Sequence, residues 1–83
     1  MGFPESEKER MRRLKGVGDT VIARLEQIGF SSLAQLAEED ASSITLQISQ
    51  MMGSTCWHNS PQARASIQAI LDLARQQAEQ NGR

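Results

Sequence analysis

The stretch LKGVGDT, Leu14 to Thr20, places two glycines on either side of one valine, between two segments with helical patterns. Glycine in a helix interior costs about 1 kcal/mol relative to alanine, so the pair indicates a turn. Glycine also reaches positive φ and leaves the backbone open to close approach. The amides of a turn that leads into a helix suit a phosphate oxygen. The stretch therefore predicts either an anion site or a tight connection between two helices.

The charge of the chain is unevenly distributed along its length. Residues 1–15 hold five basic and three acidic side chains, a local charge of +2. Residues 16–59 have a local charge of −4 and residues 60–83 one of +1, so the whole chain has a net charge of −1. Net charge alone therefore does not indicate a nucleic-acid binder, but the basic residues are concentrated just before the glycine pair.

Four charged side chains flank the turn directly. Arg12, Arg13 and Lys15 are placed to add positive charge beside a phosphate. Asp19 has the opposite effect, because its carboxylate stabilises a helix N-terminus but repels an incoming phosphate. The sequence thus predicts a phosphate site formed by backbone amides, with three basic side chains that favour binding and one carboxylate that opposes it.

The second group of reactive side chains is CWH, Cys56 to His58. A Cys–His nucleophile needs a third, orienting group, and nothing in the sequence nominates one. One cysteine and one histidine also cannot supply the three or four ligands of a zinc site. We interpret Cys56 and Trp57 as buried anchors under a loop, with His58 at the surface, and expect no enzymatic activity, metal or cofactor. The alternative for Trp57 is an exposed ring that stacks on an unpaired base.

The length of 83 residues predicts one small domain. A single cysteine excludes a disulfide within the chain and fits a reducing compartment. The charged N-terminal segment does not resemble a signal peptide, and no apolar run approaches the ~20 residues of a membrane span. We therefore expect a cytoplasmic protein with a flexible lead-in over residues 1–5, one domain over residues 6–80 and a frayed tail over residues 81–83.

The periodicity of apolar residues predicts about five short helices in one all-α bundle. The first ends near Lys15 with Gly16 as its cap, and Asp19 or Thr20 caps the second, which Gly29 ends. The SITLQIS segment would also suit a strand, but no partner strand is present in the sequence, so a helix is preferred.

The later helices have their own end signals. Ser31 or Ser32 caps the third helix, Asp40 caps the fourth, and Pro61 opens the last, while GSTCWHNS between these two reads as a loop. The predicted core comprises Met11, Leu14, Val21, Ile22, Leu25, Ile28, Leu33, Leu36, Ala37, Ile44, Leu46, Ile48, Met51, Met52, Ala63, Ile67, Ile70, Leu71 and Ala74.

The segment LKGVGDTVIARLEQIGFSSLAQLAEED resembles the helix-hairpin-helix motif and the helical segment that commonly follows it. Leu14, Gly16, Val17, Gly18 and Leu25 match the pattern in place. The longer stretch, including MMGSTCW and SPQARASIQAILDLA, looks like the small stand-alone bacterial helix-hairpin-helix proteins of the pathogenicity-locus or mitomycin-resistance type. The chain departs from the motif at Asp19, Thr20 and Ile22, where proline or a neutral residue, a basic residue and a small residue are usual.

The resemblance implies a fold like that of SAM domains and sequence-independent binding to the phosphate backbone of double-stranded or branched DNA. The implied contacts are the amides of Gly16, Val17, Gly18 and Thr20, and Val17 would also pack between the two helices. The implied setting is bacterial DNA repair, recombination or uptake. The alternative is a protein-interaction adaptor or homodimer in which the hairpin is purely structural.

Overall fold

A computed structural model describes residues 2–54 and 56–81, and the predicted all-α bundle is confirmed. Six helices and no strand occur in these residues: α1 (Glu5–Arg12), α2 (Asp19–Gln27), α3 (Leu33–Leu36), α4 (Ala41–Met52), α5 (Cys56–Asn59) and α6 (Pro61–Asn81). The radius of gyration of 11.9 Å agrees with the roughly 11.8 Å of a compact chain of this length. None of the described helices is long and apolar enough to cross a membrane.

The last helix, α6, is the element around which the others are arranged, because it packs against α2, α3, α4 and α5. It begins at Pro61, as predicted, and the Oγ of Ser60 accepts the N–H of Ala63 at 3.2 Å. Its buried face repeats at helical spacing and consists of Ile67, Ile70, Leu71 and Ala74. The predicted apolar stripe is therefore the centre of the core.

Helix α4 confirms the preference for a helix over a strand, and its Asp40 cap is present. The Oδ1 of Asp40 accepts the N–H of Ser43 at 2.8 Å. The prediction that Leu46, Met51 and Met52 supply core is wrong, since their exposed fractions are 45%, 40% and 43%. At about 100° per residue, Leu46 lies roughly 200° around the helix from the buried Ile44. The two methionines occupy the end of α4, just before Gly53.

The face of α4 that turns inward also carries two hydroxyl groups. Thr45 is buried and donates to the carbonyl oxygen of Ala41 at 2.9 Å. Ser49 is buried, and its Oγ accepts the backbone N–H of His58 at 2.9 Å. This second bond holds α5 against α4. The segment predicted as a loop therefore contains the short helix α5. Its Thr55 lies outside the described residues.

Helix α3 is too short to be stable alone, and residues from distant helices satisfy its ends. At its N-terminus the Oε1 of Glu7 accepts the N–H of Leu33 at 2.8 Å. Ser32 occupies the cap position, but its side chain makes no capping bond. Beyond the C-terminus, the Nη2 of Arg75 donates to the carbonyl oxygen of Glu39 at 2.8 Å. The cation and the carboxylate both match the helix dipole.

The segment before α1 packs onto the domain. Phe3 is buried, and its N–H donates to the Oε2 of Glu26 at 3.0 Å. The same carboxylate oxygen lies 3.5 Å from the Nζ of Lys8. These contacts join the start of the chain and α1 to α2, the two helices on either side of the glycine pair.

Candidate functional site

The chain between α1 and α2 forms a four-residue turn. Helix α1 ends at Arg12, three residues before the predicted end at Lys15. The N–H of Val17 donates to the carbonyl oxygen of Leu14 at 3.2 Å, which closes the turn over residues 14–17. Gly16 is the third residue of the turn and has a φ of +81°, a value that other residues rarely adopt. Its predicted left-handed conformation is thus present, but it serves this turn rather than the end of α1.

A contact from the far end of the sequence fixes the turn. The Oγ of Ser66 in α6 donates to the carbonyl oxygen of Gly16 at 2.9 Å, across 50 positions of the sequence. Ser66 is itself buried. A Cβ added to Gly16 would lie 3.3 Å from this Oγ, so both the backbone conformation and the neighbour favour glycine here.

Val17 anchors the turn in the core. Its side chain is buried among the core residues of the domain, as the predicted packing role requires. Its N–H already donates to Leu14, so in this conformation the amide of Val17 is engaged within the protein. The contribution of Val17 to the site is therefore to hold the turn on the core.

Gly18 is the N-cap of α2, with a φ of −125° and a ψ of −176°. Extended backbone of this kind is open to any residue, and a Cβ added at Gly18 would meet no atom within 4 Å. No side chain caps the helix. Among the described residues, no acceptor receives the N–H groups of Gly18, Asp19, Thr20 or Val21. The N-terminus of α2 therefore presents free donors behind an open backbone position.

Asp19 is the first residue of α2 and not its cap, so the prediction that Asp19 or Thr20 caps the helix is wrong. Its Oδ1 instead accepts the Nε–H of Arg12 at 2.7 Å, and the side chains are 78% and 41% exposed. The hydrogen bond with Asp19 raises the pKa of the Arg12 guanidinium above its ordinary value. The pair places a positive charge beside the carboxylate of Asp19 and engages the Arg12 guanidinium.

The other predicted binding side chains are exposed around the turn. Lys15 follows α1 within the turn, Arg13 directly follows α1, and Thr20 is the second residue of α2. Within residues 2–54 and 56–81, neither Arg13 nor Lys15 takes part in an ion pair. The positive charge available to a ligand here therefore comes from these two residues.

The Cys56–His58 segment differs from its predicted arrangement. Cys56 is exposed, so its interpretation as a buried anchor is wrong. Trp57 is half-buried and packs against the core. His58 is half-buried rather than at the surface, and its Nδ1 lies 3.3 Å from the Oγ1 of Thr45. The side-chain partners of His58 in the described chain are thus in α4, and Cys56 is not one of them.

Within the described part of the chain, no three histidine, cysteine or acidic side chains form a group able to hold a metal ion. Comparisons with protein-family models, curated proteins and solved structures found no match in any of the three.

The turn is visible in the sequence, but the residue that holds it is not. Ser66 lies in the second turn of α6 and belongs to no local motif, because its partner is 50 positions away. The one signal in the sequence is a serine beside Ile67 in an otherwise apolar stripe. A polar residue there needs a hydrogen-bond partner once it is buried, which indicates a contact but not which one.

Proposed function

We propose that this domain binds DNA through its phosphate backbone, independently of sequence and without catalysing a reaction. The observation that carries the proposal is the open N-terminus of α2. Its first N–H groups have no acceptor among the described residues, and its cap position is a glycine with free space around it. Such donors, aligned with the helix dipole, suit a phosphate oxygen.

The two glycines of the turn differ in a way that supports this proposal. Gly16 is explained by the fold alone, since its φ is +81° and Ser66 lies close to it. Gly18 has neither constraint, and serine, aspartate or asparagine would cap α2 at least as well. A ligand that approaches the backbone closely supplies a reason for the missing side chain at Gly18.

Charge around the turn is compatible with an anion. Asp19 would repel a phosphate if its carboxylate were free, but Arg12 lies 2.7 Å away and compensates its charge. Lys15 and Arg13 then supply the local positive charge. Contacts of this kind position a protein on the nucleic-acid backbone without reading bases. We expect weak binding, with a dissociation constant of about 1–100 µM.

Two further inferences accompany the proposal. We infer that α1, the turn and α2 form a helix-hairpin-helix motif, on the residues that match it. We also expect a cytoplasmic setting, because the single cysteine is exposed and a free thiol fits a reducing compartment. The first inference predicts that the N–H groups of Gly18 and Thr20 meet the phosphate, and the second predicts a reduced thiol at Cys56.

The alternative function is a protein-interaction adaptor or homodimer, and the exposed apolar side chains of α4 favour it. Leu46, Met51 and Met52 are each at least 40% exposed. They do not share one face, because Leu46 lies about 140° around the helix from Met51 and about 120° from Met52. Three separate apolar side chains make a poor docking surface, so DNA binding is the better supported function.

The test is an amide-resolved NMR titration of the full chain with a short blunt DNA duplex at low salt. We expect chemical-shift changes concentrated at residues 15–21 and their loss at high salt, because phosphate contacts release counterions. The first turn of α4 is an internal control, since the N–H of Ser43 already has the carboxylate of Asp40 as acceptor. Shifts confined to α4 and its exposed apolar residues would instead support the adaptor, and an unchanged spectrum would refute DNA binding.

A further inference from the structure

A cleft of about 330 Å³ lies directly beside the turn and has an aromatic wall. Gly16 and Val21 line it from the hairpin, and Trp57 and Ala63 line it from α5 and α6. We name this space the Trp57 cleft. The sequence separates its two sides by more than 30 positions, so only the fold brings the tryptophan next to the glycine turn.

The polar groups of the Trp57 cleft are uncharged. The side chains of Ser60 and Gln62 lie on its lining, and a hydroxyl and an amide can both donate and accept hydrogen bonds. An adjoining cleft of about 450 Å³ shares Gly16 and Gln62 and adds Lys15. Lys15 is the one charged residue among those described as lining the two clefts. The combined surface thus suits a flat, neutral, polar ring that is attached to an anion.

A nucleotide has this chemistry, since its base is a flat ring with polar edges and its phosphate is anionic. Aromatic side chains bind bases by stacking, without sequence preference. A base within a duplex is paired and stacked on its neighbours, so its faces are not accessible to a protein ring. An unpaired base is accessible, and the cleft is lined by Val21, whose N–H is one of the free donors at the N-terminus of α2.

We infer that the Trp57 cleft takes an unpaired base of a DNA strand whose phosphate lies at the N-terminus of α2. This inference rests on the proposed function and names its substrate class: DNA with a single-stranded segment, held at one nucleotide by backbone amides and at a neighbouring one by the ring of Trp57. Ser60 and Gln62 then bond the edge of the base.

Trp57 itself reports the interaction, because it is the single tryptophan and the chain has no tyrosine. The experiment titrates the full chain at low salt with an oligothymidine of about eight nucleotides and, separately, with a blunt duplex. We expect the oligothymidine to quench the Trp57 emission as the base stacks on the ring. Fluorescence anisotropy should show that the duplex binds, while the emission of Trp57 is quenched only slightly.

Cys56 provides a second measurement of binding, which requires no substitution in the core. It is the single cysteine of the chain, is exposed and lines the same cleft. Bound oligothymidine should slow its alkylation by a maleimide severalfold, whereas the duplex should not. A matched control moves the thiol to exposed Gln50 in the double variant Cys56→Ser, Gln50→Cys, where neither DNA should protect it.

Substitution of the ring tests the stacking contribution. Trp57→Ala should weaken oligothymidine binding about tenfold and leave duplex binding unchanged, and Trp57→Phe should restore part of the loss. If the duplex shifts residues 15–21 but the oligothymidine neither quenches Trp57 nor protects Cys56, the inference is overturned and the proposed function stands. If neither DNA binds, both are overturned.

Discussion

Helices α2 and α4 begin in opposite ways. At α4 the carboxylate of Asp40 accepts the N–H of Ser43, so a side chain satisfies one N–H group of the helix end from within the protein. At α2 the equivalent position is Gly18, which has no side chain and nothing around it, and Asp19 one residue later turns its carboxylate to Arg12. An acidic residue is thus available at both ends, but it caps only one of the two helices.

A helix end can therefore be stabilised by a contact within the protein or left open to the solvent. Helices α3, α5 and α6 follow α4, since Glu7, Ser54 and Ser60 each accept an N–H at their starts. Helix α1 also has no side-chain cap, but the carbonyl oxygen of Pro4 accepts the N–H groups of Glu7 and Lys8 at 3.0 Å. At α2, the first N–H group that meets an acceptor among the described residues is that of Ile22, which donates to the carbonyl oxygen of Gly18 at 3.3 Å. We attribute its open end to a ligand, in line with the proposed function.

The largest effect on stability is expected at the first glycine of the turn. Gly16→Ala forces alanine to a φ of +81° and places its Cβ 3.3 Å from Ser66, so the free energy of unfolding should fall by about 1–2 kcal/mol. Urea denaturation measures the change. Gly29→Ala is the matched control. Gly29 has a φ of +104° and an added Cβ would meet no atom within 4 Å, so this variant measures the cost of the backbone conformation alone. If Gly16→Ala were as stable as the wild type, the turn would not require glycine at this position.

A smaller loss of stability is expected at the capped helix. Asp40→Ala removes the acceptor of the Ser43 N–H and should cost about 1 kcal/mol, or about 4–8 °C in Tm. DNA affinity should not change, since α4 contains no basic residue and follows Glu38 and Glu39, so its opened end lacks the positive charge of the turn before α2. Glu38→Ala controls for the loss of one negative charge. A change in duplex affinity for Asp40→Ala beyond that of the control would remove the distinction between the two helix ends.

The smallest effect on stability is expected at Asp19. Asp19→Lys breaks a solvent-exposed ion pair, which contributes little, and adds positive charge beside the open end of α2. Duplex affinity should rise severalfold without sequence preference, and its dependence on salt should steepen. Glu38→Lys makes the same charge change away from the turn. Equal gains for both variants would show that overall charge, and not the turn, governs binding.

Local patterns predicted much of the fold. The spacing of Ile67, Ile70, Leu71 and Ala74 identified the central helix, and Pro61 and Asp40 marked helix starts as predicted. These features depend on neighbours a few positions away, which a sequence displays directly. The exposure of Met51 and Met52 at the end of α4 was not predictable in this way, because both lie within about 60° of the buried Ile48 around the helix but are 40% and 43% exposed. Leu46 lies about 200° from Ile44, so its exposure was visible in the helical spacing.

The candidate site was predictable as a turn but not as a surface. The glycine pair and its basic neighbours are visible in the sequence. The bond from Ser66 to Gly16, the pairing of Asp19 with Arg12 and the position of Trp57 beside the turn depend on tertiary packing. The assignment of Asp19 as a cap failed because a nearby arginine competes for the same carboxylate, and a sequence does not reveal which partner wins.

We propose that Gly18 leaves the end of α2 open for a phosphate, and the substitution Gly18→Ser tests this proposal. Gly18→Ser supplies a capping hydroxyl and a side chain in free space, so stability should stay equal or rise by a few tenths of a kcal/mol. The same side chain occupies the donors, so duplex affinity should fall by about tenfold, or about 1.4 kcal/mol. Asp40→Ser, which exchanges one cap for another at α4, should leave affinity unchanged. A folded Gly18→Ser protein that binds the duplex as tightly as the wild type would contradict the account.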